Sequence, residues 1–316
     1  MKSKADENEM WENLYSKNGL AAKKIALELL EIQNGQKIPT VTDFCESLEL
    51  GRGTVQGAIK LLEMLGAIEL EARGHLGTFL LNKDVSVLLD ISGTGPLVGA
   101  MPLPYSKKYE GLATGIVDGF NYLNKRISLA YMRGASNRLE ALKTRRYDFA
   151  IVSRLAAEES IKSHKGLEIV KSFGAGTYVS EHKIFLTDPT KTKIESGMRI
   201  GIDRLSPDQS TITLLECEGL DVKFVDLNYM QLFQMLKENQ IDAAVWNIDE
   251  VRSVETFYTV DFQSEEAKKL TRLTSEATIV VEAGRIEVKK QISLLNKEIV
   301  LNVQRMVEAG ERFPQY

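Results

Sequence analysis

Gly51-Arg52-Gly53-Thr54-Val55-Gln56-Gly57-Ala58-Ile59-Lys60-Leu61-Leu62-Glu63-Met64-Leu65-Gly66-Ala67-Ile68 is the stretch whose spacing decides how the front of this chain folds. Val55, Ala58, Ile59, Leu62 and Leu65 recur at intervals of three and four, which lines one face of a helix and predicts one over 54–65. Gly66 stops it, because glycine takes the positive φ beyond a helix end at little cost. Upstream, Leu48-Glu49-Leu50-Gly51 reads as a tight turn. Just after Pro39, Thr40 or Thr42 can cap a short helix through Leu48 by accepting free backbone N–H groups. Earlier still, Leu20, Ile25, Leu27, Leu29, Leu30 and Ile32 predict another helix, closed by Asn34-Gly35. Downstream, apolar strands over 68–70 and 78–81 flank Arg73-Gly74-His75-Leu76-Gly77, a hairpin with glycine where positive φ is needed.

Helix, helix, short turn, helix and hairpin is the order of a winged helix-turn-helix, which can serve DNA or a protein partner. Gly35-Gln36-Lys37-Ile38-Pro39, Gly51 to Val55, Ala58-Ile59-Lys60-Leu61-Leu62, Gly66-Ala67-Ile68 and Gly77-Thr78-Phe79-Leu80 resemble the GntR-type DNA-binding domain. That resemblance implies DNA contacts by Arg52, by Thr54 and by the wing, where Arg73 and His75 stand. Thr40, Thr42 and Lys60 are further candidates, and Gln56 reads either as an adenine-reading amide or as a solvated residue. The chain departs from that pattern in places. Where the family carries Pro-Ser-Glu-Arg, this chain has Pro39-Thr40-Val41-Thr42, and Gln56 replaces the arginine of Thr-Val-Arg. Residues 1–82 carry nine basic against twelve acidic side chains. Phosphate neutralisation favours basic surfaces, so modest DNA affinity and a need for a homodimer are expected, with the segment from Asn8 to Tyr15 or the faces of the second domain as dimer surfaces.

At 316 residues the chain predicts two or three compact units. Its 43% hydrophobic and 27% charged residues exclude disordered and low-complexity classes. No apolar run approaches the roughly 18 residues that span a bilayer, and the start, Met1 to Asn13, is charged where a signal peptide is apolar, so a cytoplasmic location is expected. Cys45 and Cys217 lie far apart, and His75, His164 and His182 are scattered. Neither a disulfide, a zinc site nor a cofactor is expected. Net charge is −4, so a DNA reader here works through a local patch.

The pattern changes near residue 82, and the boundary is placed at Leu81 to Ser86, giving domains of 1–82 and 86–316. From there, strands alternate with helices, which predicts a largely parallel sheet with loops gathered at the strands' C-terminal ends. Strands are read over 85–91, 127–132, 147–152, 198–202, 221–225, 241–246 and 277–282. Helices are read over 109–123, 137–144, 211–217 and 229–237, and one long helix runs over 285–308. Crossovers near 178–183 and 257–269 divide the domain into a first lobe of about 86–178 and 270–316 and a second of about 180–268.

This two-lobed α/β arrangement resembles the type 2 periplasmic-binding-protein fold. With the winged domain in front, the chain is similar over essentially its whole length to the YhfZ family of GntR-like regulators, on the domain order and on Arg133 to Arg138 and Tyr147 to Arg154. The resemblance brings no effector, which must come from chemistry. Helix N-termini carry free N–H groups and partial positive charge, and those at Thr94, Ser136 and Gln209 are expected to meet at one cleft. Arg133, Arg138 and Arg154 add forked cationic donors, so a small anionic metabolite is the expected ligand. Ser92, Asn137, Ser153, Asp203, Ser210 and Asn247 complete the candidate set, together with Trp246, which reads either as a stacking surface or as core. Ser136 and Ser210 read equally as helix caps.

No Gly-rich phosphate loop, His-Glu-x-x-His or Gly-x-Ser-x-Gly occurs, so an enzyme is not expected. Prephenate dehydratases share the two-lobed fold, but their Thr-Arg-Phe segment has only Thr144-Arg145-Arg146 and Thr271-Arg272-Leu273 as counterparts. A sensor acting on protein partners through a degenerate winged domain stays open beside the DNA-binding regulator.

Overall fold

Thr40 sets the first boundary. In the computed structural model, which describes residues 17–92, 96–125, 127–163, 166–249 and 257–316, its hydroxyl accepts the Asp43 N–H at 3.2 Å while the Asp43 carboxylate accepts the Thr40 N–H at 2.7 Å. This reciprocal cap satisfies two donors that would otherwise be unpaired at the start of a helix. The predicted Asn8 to Tyr15 dimer segment and Thr94 lie outside the described residues.

Helices α1 (Lys17–Leu29), α2 (Val41–Leu48) and α3 (Arg52–Met64) precede the strands β1 (Ile68–Ala72) and β2 (Thr78–Lys83). The strands pair antiparallel. The apolar positions of the sequence pattern form the core: Ile25, Leu29, Phe44, Val55, Ala58, Leu62 and Leu80 are wholly buried. Leu65 is instead half exposed, because it lies past the last turn of α3. From β2, the ammonium of Lys83 donates to the carbonyls of Leu29, Leu30 and Ile32 and so closes the end of α1. Gly77 holds φ at 101°, and a Cβ there would meet the Lys37 side chain at 2.5 Å, so the hairpin admits only glycine.

The reading of 85–91 as a strand is corrected. It is helix α4 (Val85–Ile91), because the Asp84 carboxylate caps it by accepting the Val87 N–H at 3.0 Å, and Leu88 and Leu89 are buried side by side on its inner face. This first compact unit runs to residue 96 and takes in 123–125.

The second unit holds β3 (Leu97–Met101), α5 (Lys107–Tyr122), β4 (Ile127–Tyr131), α6 (Ala135–Lys143), β5 (Phe149–Ser153), α7 (Arg154–Ser163) and β6 (Leu167–Gly174). It continues through β7 (His182–Leu186), β8 (Arg199–Ile202), α8 (Pro207–Glu216), β9 (Lys223–Asp226), α9 (Tyr229–Lys237), β10 (Ala243–Asn247) and β11 (Tyr258–Val260). It closes with α10 (Glu265–Thr274), β12 (Ala277–Glu282), α11 (Ile286–Leu294) and α12 (Lys297–Glu308). The predicted single helix over 285–308 is therefore two. Leu295 turns extended, and Asn296 caps α12 by accepting the Glu298 N–H at 2.9 Å.

Two five-stranded sheets result, ordered β4-β3-β5-β12-β6 and β11-β7-β10-β8-β9. Each has a parallel trio, β4-β3-β5 and β10-β8-β9, extended by an antiparallel strand that follows a crossover from the other lobe, β12 and β7. The chain thus passes between the lobes twice, at 175–181 and 275–276. Leu112, Ile116, Phe149, Ile279 and Val300 fill the first lobe, and Ile184, Ile200, Ile212 and Val245 the second. Helices α5 and α12 touch backbone to backbone at Gly115, where a Cβ would lie 2.5 Å from the Val300 carbonyl oxygen.

Candidate functional site

Two surfaces carry the chemistry. On the first unit, Gln56, Ile59, Lys60 and Glu63 of α3 face Leu70, Ala72, Gly77 and Thr78 of the hairpin across an open groove that Thr40 also borders. Arg52 and Gln56 are exposed in the first turns of α3, Lys60 is exposed one turn on, and Thr54 is half-buried. Thr42 and His75 are exposed as well. Two of the expected contact residues are already engaged. The Thr40 hydroxyl forms the cap of α2, while Arg73 donates to the Glu71 carboxylate and lays its guanidinium 4.4 Å from the centroid of the Phe79 ring.

In the second unit a cleft lies between the lobes, with about 50 Å³ of free volume. Five of the expected residues line it: Arg133, Arg138, Asp203, Trp246 and Asn247. Arg133 follows the end of β4, and its Nη1 is buried with no hydrogen-bond partner among the described residues. Arg138 is 3% exposed and is held by the chain: its guanidinium donates to the carbonyls of Ile151 at 3.1 Å and Met132 at 2.7 Å and to the Tyr178 hydroxyl at 2.9 Å. It therefore ties the ends of β4 and β5 to the crossover, whatever it adds to the cleft's potential. The Asp203 carboxylate accepts the N–H groups of Leu205 and Tyr229. Asn247 donates from Nδ2 to the Tyr105 hydroxyl at 2.9 Å.

The other expected residues stand elsewhere. Ser92 ends α4 in the first unit, with its hydroxyl on the Leu89 carbonyl at 2.6 Å. Helix α6 begins at Ala135, capped by Gly134, two residues earlier than expected, and Ser136 and Asn137 are exposed in its first turn rather than lining the cleft. The Ser153 hydroxyl caps α7 by accepting the Ala156 N–H at 3.1 Å and donates to Asp208 at 2.6 Å. Arg154 pairs with Glu158 at 2.7 Å and Glu276 at 3.1 Å. Gln209 clamps its own loop, accepting the Asp203 N–H and donating to the Gly201 carbonyl. Ser210 bonds back to the Ser206 carbonyl at 3.0 Å. Arg154, Gln209 and Ser210 are therefore internal supports rather than cleft lining.

Residues outside the expected site set also line the cleft: Tyr105, Tyr109, Tyr178, Tyr229, His182 and Asp208. Four of the chain's ten tyrosines gather here. Three helices do begin at the cleft, but the third is α9, at Tyr229. Burial pushes the Asp208 carboxyl up to about 7, against the pull of the Ser153 hydrogen bond. Burial also pushes His182 down to about 4, and its Nδ1 has no partner among the described residues.

A helix-turn-helix head with a two-stranded wing, joined to a two-lobed α/β domain of type 2 periplasmic-binding-protein architecture, is the class that this fold and these sites define. Residues 84–316 match the YhfZ C-terminal domain, and residues 33–80 match a helix-turn-helix domain family. The chain belongs to the YhfZ family. It is 32% identical over 301 residues to the YhfZ protein of Escherichia coli K12, covering 95% of this chain and 98% of that one. It superposes on the crystal structure of YhfZ from Shigella flexneri with a TM-score of 0.62 at 31% identity, over 74% of this chain and 98% of that one. The combination of domains marks a DNA-binding regulator. Among the described residues no helix is long and apolar enough to cross a membrane, and no cluster of His, Cys, Asp and Glu is arranged to hold a metal ion.

Proposed function

We propose that the protein is a ligand-responsive transcriptional regulator. In this reading the head, through about residue 82, reads operator DNA as a homodimer, and a small anionic metabolite enters the cleft of the domain from about residue 86 onward. The observation that carries the effector half is Arg133. A guanidinium with a buried, unpartnered donor at a cleft wall is costly to leave so, and a carboxylate or phosphate supplies the forked acceptor it lacks. The start of α6 beside it adds backbone N–H groups and partial positive charge.

The DNA half rests on α3. Arg52, Gln56 and Lys60 share its exposed side, opposite the wing, as a recognition helix requires. With few basic groups on that face, each head makes few phosphate contacts, so two heads about one helical turn apart supply the specificity. An effector that binds the closed cleft better than the open one shifts their populations by that difference in affinity alone. The coupling is reciprocal, so an effector that weakens DNA binding is bound more weakly by the DNA complex.

A second reading, a sensor that acts on protein partners through the head, is favoured by the acidic excess of residues 1–82 and by the engagement of Thr40 and Arg73. One binding series separates the two. Full-length protein is titrated onto the DNA upstream of its own gene, and Arg52→Ala combined with Lys60→Ala is expected to weaken binding at least about tenfold at matched salt. Equal affinity of parent and double variant, or no binding by the parent, decides for the protein-partner reading.

A further inference from the structure

The cleft is occupied by the protein's own aromatic side chains. Tyr105, in the segment between β3 and α5 of the first lobe, reaches into a slot of the second lobe. Tyr229 and Trp246 stack there with centroids 5.1 Å apart and planes 10° apart. The Tyr105 ring lies 5.6 Å from Tyr229 and 6.3 Å from Trp246, both within the range of productive ring contacts. At the floor, its hydroxyl accepts the Asn247 amide hydrogen at 2.9 Å, and Asn247 is 2% exposed. The roughly 50 Å³ left over is about a third of the ~150 Å³ cavity that holds a benzene molecule. A second ring therefore enters only if Tyr105 leaves.

Leaving has consequences that specify the newcomer. Tyr229 and Trp246 lose a ring partner, and the buried Asn247 amide loses its acceptor, at the cost of an unsatisfied polar group. Arg133, whose Nη1 has no hydrogen-bond partner among the described residues, lines the same cleft. Asp203 does not repel an incoming anion at full strength, because its carboxylate already accepts two backbone N–H groups.

Resting on the anion-in-cleft reading above, we propose that Tyr105 is a built-in occupant of the effector site and that the effector is a small aromatic carboxylate. Its ring stacks on Tyr229 and Trp246 in place of the Tyr105 ring. An oxygen on that ring accepts the Asn247 amide hydrogen, and the carboxylate lies on Arg133. Self-occupancy reduces the apparent affinity by the fraction of molecules whose slot is open, so removing the tyrosine ring tightens effector binding.

The test follows Trp246 fluorescence in the full-length protein carrying Trp11→Phe, titrated with 4-hydroxybenzoate, phenol, acetate or phosphate, phenol and acetate each carrying only one half of the proposed recognition. The parent is expected to bind 4-hydroxybenzoate at least about tenfold more tightly than either half-molecule, and Arg133→Ala to reduce its affinity to that of phenol. Tyr105→Ala is expected to bind 4-hydroxybenzoate at least about tenfold more tightly than the parent. Tyr105→Phe keeps the ring and removes the hydroxyl with its hydrogen bonds to Asn247 and Tyr109; it is expected to gain about three- to tenfold, which serves if the alanine variant does not fold. If neither variant binds more tightly than the parent, self-occupancy is wrong. If acetate or phosphate binds as well as 4-hydroxybenzoate, the aromatic class is wrong while the anion reading stands. If no anion binds the parent or Tyr105→Phe, both are wrong.

Discussion

The head and the cleft hold their polar groups in opposite ways. On the head, Arg52, Gln56 and Lys60 stand exposed within nine residues of one helix. In the cleft, Arg133, His182, Asp208 and Asn247 arrive on separate elements from both lobes and are partly or wholly buried. A group on the head is therefore free to act on a partner at little cost to folding. A group in the cleft cannot change without disturbing the fold that holds it.

The largest expected effect separates the two regions by stability. Arg138→Ala strands two carbonyls and a tyrosine hydroxyl in a buried site, and is expected to destabilise the second unit by roughly 3 kcal/mol or more. Arg52→Ala, at an exposed position, is expected to stay within about 0.5 kcal/mol of the parent. Denaturant midpoints of the two variants check this; equal losses would erase the distinction between the regions.

The next effect is one of pH. Asp208 binds its proton more tightly folded, at about 7 against 3.8, so its contribution to stability is complete below about 4 and is lost as pH rises to 7. His182 runs the other way. Held down to about 4 from 6.5, it contributes above 6.5 and loses that contribution as pH falls to 4. Between about 4 and 6.5 the two oppose each other, and the parent's stability is expected to vary little from this source. Asp208→Asn uncovers the histidine, so thermal stability rises with pH across that window. His182→Gln uncovers the aspartate, so stability falls from pH 4 to 7. Parallel pH profiles for the two variants would rule out the opposed pair.

The contrast also explains what the sequence made legible. The helix at α3 and the elements β12 and α9 follow from periodicity, and the two-lobed class follows from alternation of strand and helix. The run 85–91 is apolar in too many positions for its period to decide, and one cap, Asp84, makes it helical. The break at Leu295 hides inside a continuous amphipathic pattern, where Asn296 restarts the helix. Strand β3 escaped because Gly99 and the flanking glycine and prolines look like loop, yet that glycine is where the Phe149 ring packs, 2.2 Å from an added Cβ. The aromatic wall was out of reach for a different reason. Tyr105 and Trp246 are 141 positions apart on different lobes, and only the packing of the lobes across the cleft brings them together.

The smallest effect returns to the head. Thr40→Ala removes the cap of α2 and is expected to cost about 1 kcal/mol of stability, with DNA affinity unchanged at temperatures where the head stays folded. Thr42→Ala, exposed one residue further on, is expected to leave stability unchanged. A loss of DNA affinity by folded Thr40→Ala would return that hydroxyl to the contact surface.

The account joins an exposed reader to a buried sensor, and coupling between them is its central claim. The direct measurement is the affinity of the full-length protein for the DNA upstream of its own gene, at fixed salt, with and without saturating 4-hydroxybenzoate, in the parent and in Arg133→Ala. The parent's affinity is expected to change by at least about fivefold, the lower end of typical coupling between sites, and that of Arg133→Ala to stay constant. A parent whose DNA affinity is the same with the cleft filled as without would contradict the account.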